Sequence, residues 1–225
     1  MKIDDKSSRS LQDALLLAER GLYSDLRITC GTDEHLVHKV LVCTRSSFLA
    51  EACSEPLEVG EKSLIHLPDD DPEAVAAVIS YLYRGSYAHP ESGAERPSKE
   101  QLDAGKWKVS VHGEETASLQ EKYLGLHAKV YILAKKYGIQ SLKELALNNV
   151  RCIRPHITSP HNFVEAAEIA YTSPIPSGSG MRHQVVLGLY QHPSLFDNEA
   201  LKTLLKRLPD LMYDYILHEY RWRIK

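Results

Sequence analysis

The chain has 225 residues, 43% hydrophobic and 25% charged, which is typical of a folded globular protein rather than a disordered one. Its net charge of -3 at pH 7 argues against a nucleic-acid ligand, because phosphate-binding domains concentrate Lys and Arg on one face. Its first residues lack an apolar core of the length expected for a signal peptide, and no apolar run approaches membrane-spanning length. We therefore expect an intracellular protein, cytoplasmic or nuclear or both, without a membrane partner.

The first predicted element is a short amphipathic helix that follows a polar tail at residues 1–9. Ser10 is a good N-terminal cap and Gly21 a good C-terminal stop, while Leu11 and Leu15 recur at helical spacing between them. The helix therefore has an apolar face.

Strands and helices then alternate. Asp71 and Pro72 form a strong helix start, and Gly85 ends that helix after an apolar face of helical period. Before it, alternation of apolar and polar residues predicts strands, and helical spacing predicts two short helices with hydroxyl caps. These elements are strands at 26–30, 36–37 and 63–67, a turn at 31–34 and two helices within 39–53.

The second half of the chain is predicted to be helical. A segment at 88–118 rich in Pro, Gly, Ser and charge is interpreted as an inserted surface loop. Prolines at 160, 174, 193 and 209 are interpreted as helix breakers. The predicted helical stretches are 119–137, 139–146, 163–171, 181–191, 199–208 and 210–221.

No pattern of catalytic or ligand-binding residues is found. His35 and His38 are three apart on an extended segment, where their side chains point to opposite faces, so one metal ion cannot easily use both. The acidic run at 69–71 is interpreted as helix capping, and the four cysteines, which form no CxxC pair, as small buried hydrophobes. We predict no enzymatic activity, no cofactor, no metal and no small-molecule substrate.

Several segments together resemble a BTB/POZ domain. They are residues 23–31, 36–43, 46–53, 65–75, 81–87, 130–139 and 142–143. The segment Phe163–Glu168 is similar to one in the helical tail of short BTB proteins of filamentous fungi.

The resemblance implies an α+β fold in which a helical cluster covers a small, mainly three-stranded sheet. It places a BTB/POZ domain at residues 10–150, with the inserted loop at about 88–118, and an all-helical extension at 151–225.

The resemblance also implies self-association through the first helix and neighbouring elements. We expect Leu11 and Leu15 at a homodimer interface, although the same helix could instead cover its own subunit. Asp25 and Lys39 match positions where many BTB domains carry a charged pair near the dimer groove. A local bridge between strand and helix is the alternative role for that pair.

Some BTB domains recruit a cullin ubiquitin-ligase scaffold through a hydrophobic-x-Glu element before the third strand. Val59 and Glu61 match that short pattern, and Tyr81 is the further expected contact. The predicted function is therefore a protein-interaction module that self-associates and recruits protein partners, with a cullin as one candidate. The alternatives are a scaffold for transcription or assembly that binds no cullin, and an enzyme with an unrecognised site.

Overall fold

A computed structural model describes residues 18, 21–54, 63–87, 121–173 and 179–223 of the chain. Its strands are β1 (Leu26–Cys30), β2 (Asp33–Val37) and β3 (Ser63–His66). Its helices are α1 (Lys39–Val42), α2 (Ser47–Ala52), α3 (Pro72–Arg84), α4 (Leu124–Lys136), α5 (Gln140–Ile153), α6 (Pro160–Thr172), α7 (Ser179–Gln191), α8 (Glu199–Arg207) and α9 (Pro209–Arg223). Short 3-10 helices lie at Arg154–His156 and Pro193–Asp197.

The chain divides into two compact units. The first comprises residues 1–87 and 133–140, and the second comprises 88–132 and 141–225. This division follows contacts in the fold, whereas the predicted boundary at residue 150 followed the extent of the resemblance, so that boundary stays a prediction.

The sheet of the first unit has the strand order β2-β1-β3. β1 pairs with β2 antiparallel and with β3 parallel. The parallel pairing needs a long crossover connection, and α1 and α2 lie within it. Leu26, Ile28 and Cys30 alternate along β1 with more exposed residues and point into the core.

The third helix forms as the sequence predicted. The side chain of Asp71 caps α3 by accepting a hydrogen bond from the backbone N–H of Ala74 at 3.0 Å. Pro72 occupies the first turn, and Gly85 ends the helix with a left-handed φ of 74°. One face of the helix buries Val75, Val78 and Leu82, among others.

The helices of the second unit surround an apolar core that includes Phe163, Met181, Leu189 and Leu201. Close packing is visible at Gly188, where an added Cβ would lie 2.7 Å from the ring of Phe163. Within the described residues, no helix is both long enough and apolar enough to pass through a lipid bilayer.

The architecture confirms the predicted α+β class: a three-stranded sheet with helices, and an all-helical C-terminal region. Two details differ. The turn between β1 and β2 is shorter than predicted, because β2 already begins at Asp33. Pro160, Pro193 and Pro209 are the first residues of helices rather than breakers between them, since the missing N–H costs nothing in a first turn.

The acidic run and the cysteines also need correction. Of the three aspartates only Asp71 caps α3, while Asp70 forms contacts described below. Cys30 is buried, but Cys43 and Cys53 are half-buried and Cys152 is exposed. The predicted first helix, apart from Ala18, and the predicted loop at 88–118 lie outside the described residues.

Candidate protein-interaction surface

The turn that precedes β1 is fastened to the end of β2 and the start of α1. The backbone N–H of Asp25 donates to the carbonyl of Val37 at 3.3 Å. The Asp25 carboxylate accepts from the backbone N–H of Lys39 at 2.8 Å. Gly21 lies so close to Leu36 that an added Cβ would approach the Leu36 Cβ to 2.9 Å. The two chain segments are therefore held as one surface.

His38 adds a third connection and links this surface to α3. Its Nε2 lies 2.7 Å from the carbonyl oxygen of Leu22, and because a carbonyl only accepts, Nε2 is the donor. In a neutral ring Nδ1 then accepts from the Tyr83 hydroxyl at 2.8 Å, and that hydroxyl also accepts the His38 backbone N–H at 3.0 Å. The imidazole thus bridges the turn and α3.

Large apolar side chains project into solvent from these hydrogen-bonded segments. Tyr23 is 90% exposed and Val40 is 70% exposed, and Leu22 and Leu36 are also exposed. We call these four residues the exposed patch. Scattered exposed apolar residues are common on proteins, but a group held on hydrogen-bonded neighbouring segments is a feature of interaction sites.

Tyr23 adopts a backbone conformation that is unfavourable for a residue with a side chain. Its φ is +62°, and it is the one non-glycine residue of the described chain with positive φ. The left-handed region is costly for a residue with a Cβ, and the Tyr23 side chain, 90% exposed, has little burial to offset the cost. Such strain tends to persist where function requires it, which singles out Tyr23 within the patch.

Asp25 and Lys39 are brought together, although not as a buried ion pair. Asp25 is exposed, and its carboxylate bonds to the backbone of Lys39. This geometry is that of a local bridge between the start of β1 and α1. The part of this pair in a dimer interface stays a prediction.

The other predicted site residues are placed differently. Leu11, Leu15, Val59 and Glu61 lie outside the described residues. Tyr81 is only 6% exposed, and the Arg45 guanidinium lies over its ring at 5.4 Å. Arg45 also donates to the carbonyl of Leu82 at 2.6 Å, so the Tyr81 ring offers little surface to a partner.

The C-terminal helix of the second unit carries another apolar surface. One side of α9 packs inward, with Leu211 buried and the Tyr215 ring 5.2 Å from that of Phe196. Tyr213, Ile216 and Tyr220 follow one another at helical spacing on the other side and are exposed. We call these three residues the α9 stripe. A solvent-facing helix would normally carry polar residues there.

Two buried carboxylates were not singled out by the sequence. Asp70 accepts from the Lys136 ammonium at 2.7 Å and from the Tyr137 hydroxyl at 2.8 Å. Glu121, 2% exposed, accepts from the backbone N–H and the hydroxyl of Thr158 at 2.8 and 2.7 Å, just before α6. Both join residues far apart in the chain, and no local pattern marks such a contact.

Chemistry-bearing clusters are sparse in the described residues. No group of three or more His, Cys, Asp or Glu in the described ranges could hold a metal ion. An open groove of about 370 Å³ lies between α6 and α8 and is bridged by an ion pair of 2.7 Å between Arg207 and Glu168. Thr203 lines it, and its hydroxyl donates to the Glu199 carbonyl at 2.9 Å. This arrangement contains no activated nucleophile.

Burial shifts several pKa values without forming a catalytic pair. Burial, and then the hydrogen bond to Asp70, raise the pKa of Tyr137. Burial is also the main cause of the raised pKa of Tyr171, whose hydroxyl donates to Asp214 at 2.8 Å. Burial lowers the pKa of His183, and the neighbouring His218 ring lowers it further. In each case the neighbouring group that shifts the pKa lies on another segment of the chain, so the shifts follow from tertiary packing.

Comparison with known proteins agrees with this architecture. No curated protein matches the chain. Residues 15–100 match the family model of the BTB/POZ domain, and this range contains the sheet, α1 to α3 and the exposed patch. The chain therefore carries a BTB/POZ domain, a protein-interaction module, followed by an all-helical region.

Proposed function

We propose that the protein is a homodimeric interaction module that self-associates through the exposed patch and recruits other proteins. The observation that carries this proposal is the exposed patch itself. Its backbone is fixed by hydrogen bonds among Leu22, Asp25, Val37, His38 and Lys39, yet Tyr23 and Val40 are largely exposed and Leu22 and Leu36 are partly so. A fixed surface loses little conformational entropy on association.

Continuity along the chain supports the same surface. Leu22 and Tyr23 directly follow the segment predicted to form the first helix, with Leu11 and Leu15 on its apolar face. That helix and the patch would form one self-complementary interface. Two-fold dimers are the commonest assemblies of identical chains, and in them each patch residue acts twice.

The experiment is light scattering on wild-type protein and on Val40→Asp over a range of concentrations. We expect wild type at twice 25.4 kDa and the variant at the monomer mass. The substitution places two charges in one symmetric interface, which costs roughly 2–4 kcal/mol per dimer. Folding of the variant should be unaffected, because Val40 is exposed in the subunit.

A matched variant locates the interface. Ile216→Asp changes an exposed apolar residue in the α9 stripe. It should remain dimeric. Wild-type protein that is monomeric at every concentration, or a monomer produced by Ile216→Asp while Val40→Asp stays dimeric, would overturn the proposed interface.

Recruitment of a cullin is the finer proposal about partners, and it rests on the resemblance at Val59 and Glu61. The test is co-elution of the purified protein with a purified cullin. We expect Glu61→Lys to abolish co-elution and Glu58→Lys, the same charge change outside the pattern, to retain it. Tyr81 is a poor test position because it is buried.

Failure of wild-type protein to bind the cullin would favour the scaffold for transcription or assembly instead. Kinship with the short fungal BTB proteins is likewise a proposal from the resemblance, as is a cytoplasmic or nuclear location.

A further inference from the structure

Cys43 and Cys53 lie together at the ends of two successive helices. Cys43 follows the last residue of α1, and Cys53 follows the last residue of α2. Both approach one carbonyl, since the Cys43 thiol donates to the oxygen of Leu49 at 3.7 Å and the Cys53 backbone N–H donates to it at 3.1 Å. The two side chains also interact, since hydrogen bonding to Cys53 is one cause of the raised pKa of Cys43.

The surroundings of the two thiols allow a reagent to reach them. Both residues are half-buried, whereas Cys30 is fully buried and donates its thiol hydrogen to the carbonyl of Asp70 at 3.1 Å. Cys152 is exposed, and it lies in α5 of the other unit. Cys43 and Cys53 are therefore the described cysteines that combine access with a neighbouring thiol.

We propose that Cys43 and Cys53 form a reversible intramolecular disulfide, which would join the end of α1 to the end of α2 under oxidising conditions. The pair encloses the connection between these helices together with α2 itself. That helix carries Phe48, whose ring stacks on Tyr137 with centroids 4.8 Å apart. Oxidation would therefore restrain α2, a helix that packs in the first unit.

Burial, and then the Cys53 thiol, raise the pKa of Cys43 to about 11. Cys43 is thus almost entirely protonated at neutral pH, and a thiol attacks a disulfide only as its thiolate. Cys43 is therefore a poor first nucleophile, and we assign the first attack on an oxidant to Cys53 and the second attack to Cys43.

The exchange with a small-molecule disulfide such as oxidised glutathione takes two steps. The Cys53 thiolate attacks one sulfur of the oxidant, forms a mixed disulfide and releases one glutathione thiolate. Cys43 then loses its proton to solvent and attacks the Cys53 sulfur, which releases the second glutathione thiolate. The protein loses two electrons and two protons, and the oxidant gains them as two glutathione thiols.

The test treats the full-length protein with oxidised glutathione, blocks the remaining thiols and digests it with trypsin. Cleavage after Lys39, Arg45 and Lys62 puts Cys43 and Cys53 on separate peptides. A Cys43–Cys53 disulfide therefore appears in mass spectrometry as residues 40–45 linked to 46–62, and dithiothreitol should separate the two peptides. Below the pKa of Cys43 the second step should accelerate about tenfold per pH unit, so the mixed disulfide at Cys53 should be longer-lived at pH 7 than at pH 8.5.

The variants supply the controls. Cys53→Ser should form no internal disulfide, and Cys43→Ser should stop at the mixed disulfide on Cys53. Cys152→Ser should give the linked peptides as wild type does. If wild-type protein instead yields only glutathione on Cys152, or only disulfides between two chains, the proposal fails. Mass spectrometry of the wild-type peptides tests the proposed disulfide even if a cysteine variant folds poorly.

Discussion

Asp70 shows how one buried side chain joins distant parts of the first unit. Its carboxylate is 7% exposed and binds both the Lys136 ammonium and the Tyr137 hydroxyl, 66 and 67 residues further along the chain. The Tyr137 carbonyl in turn accepts a hydrogen bond of 2.8 Å from the Ser46 hydroxyl. These bonds place the loop before α3, the end of α4 and the start of α2 around one tyrosine.

We expect Asp70→Ala to destabilise the protein by about 3 kcal/mol, because it strands a buried hydroxyl and a partly buried ammonium without their acceptor. Urea unfolding measures the loss. Asp69→Ala is the matched control, since its side chain is exposed one residue away, and it should change the free energy of unfolding by less than about 0.5 kcal/mol. Equal effects of the two substitutions would contradict the role given to Asp70.

At the scale of elements, the sequence was sufficient to predict a helix whose start and end are marked by neighbouring residues. The cap, proline and terminal glycine of α3 follow one another in the sequence, and that helix was predicted to within a residue. The turn after β1 was predicted too long, because polar residues of β2 face solvent and resemble turn residues. Pro160, Pro193 and Pro209 were predicted only as helix breakers. A proline that stops one helix can also be the first residue of the next helix.

The candidate site could be predicted only in part, because its geometry depends on contacts between segments. Asp25 and Lys39 were named together from the resemblance, and the structure does bring them together. The exposure of Val40 and the left-handed backbone of Tyr23 depend on how the turn is fastened to His38 and Val37, and periodicity carries no such information. Buried partners such as Glu121 and Thr158 were missed for the same reason.

At the scale of the whole molecule, the exposed patch and the α9 stripe leave apolar area on a chain of nearly balanced charge. A net charge of -3 gives only weak repulsion between copies, so charge does not prevent association. Unlike the inward side of α9, the side chains of these two surfaces are exposed in the part of the chain that the structure describes. They would gain burial when the protein meets another surface.

The proposed self-association through the patch would make the thermal midpoint depend on protein concentration, because only the folded chain has the interface. For a dimer of 225-residue chains, the midpoint should rise by about 1–2 °C for each tenfold increase in concentration. Differential scanning calorimetry over a hundredfold range measures this slope. Val40→Asp, as a folded monomer, should unfold at one temperature throughout, and Ile216→Asp should keep the wild-type slope. A wild-type midpoint that does not move with concentration would mean that the patch is not held by a second copy as the chain unfolds.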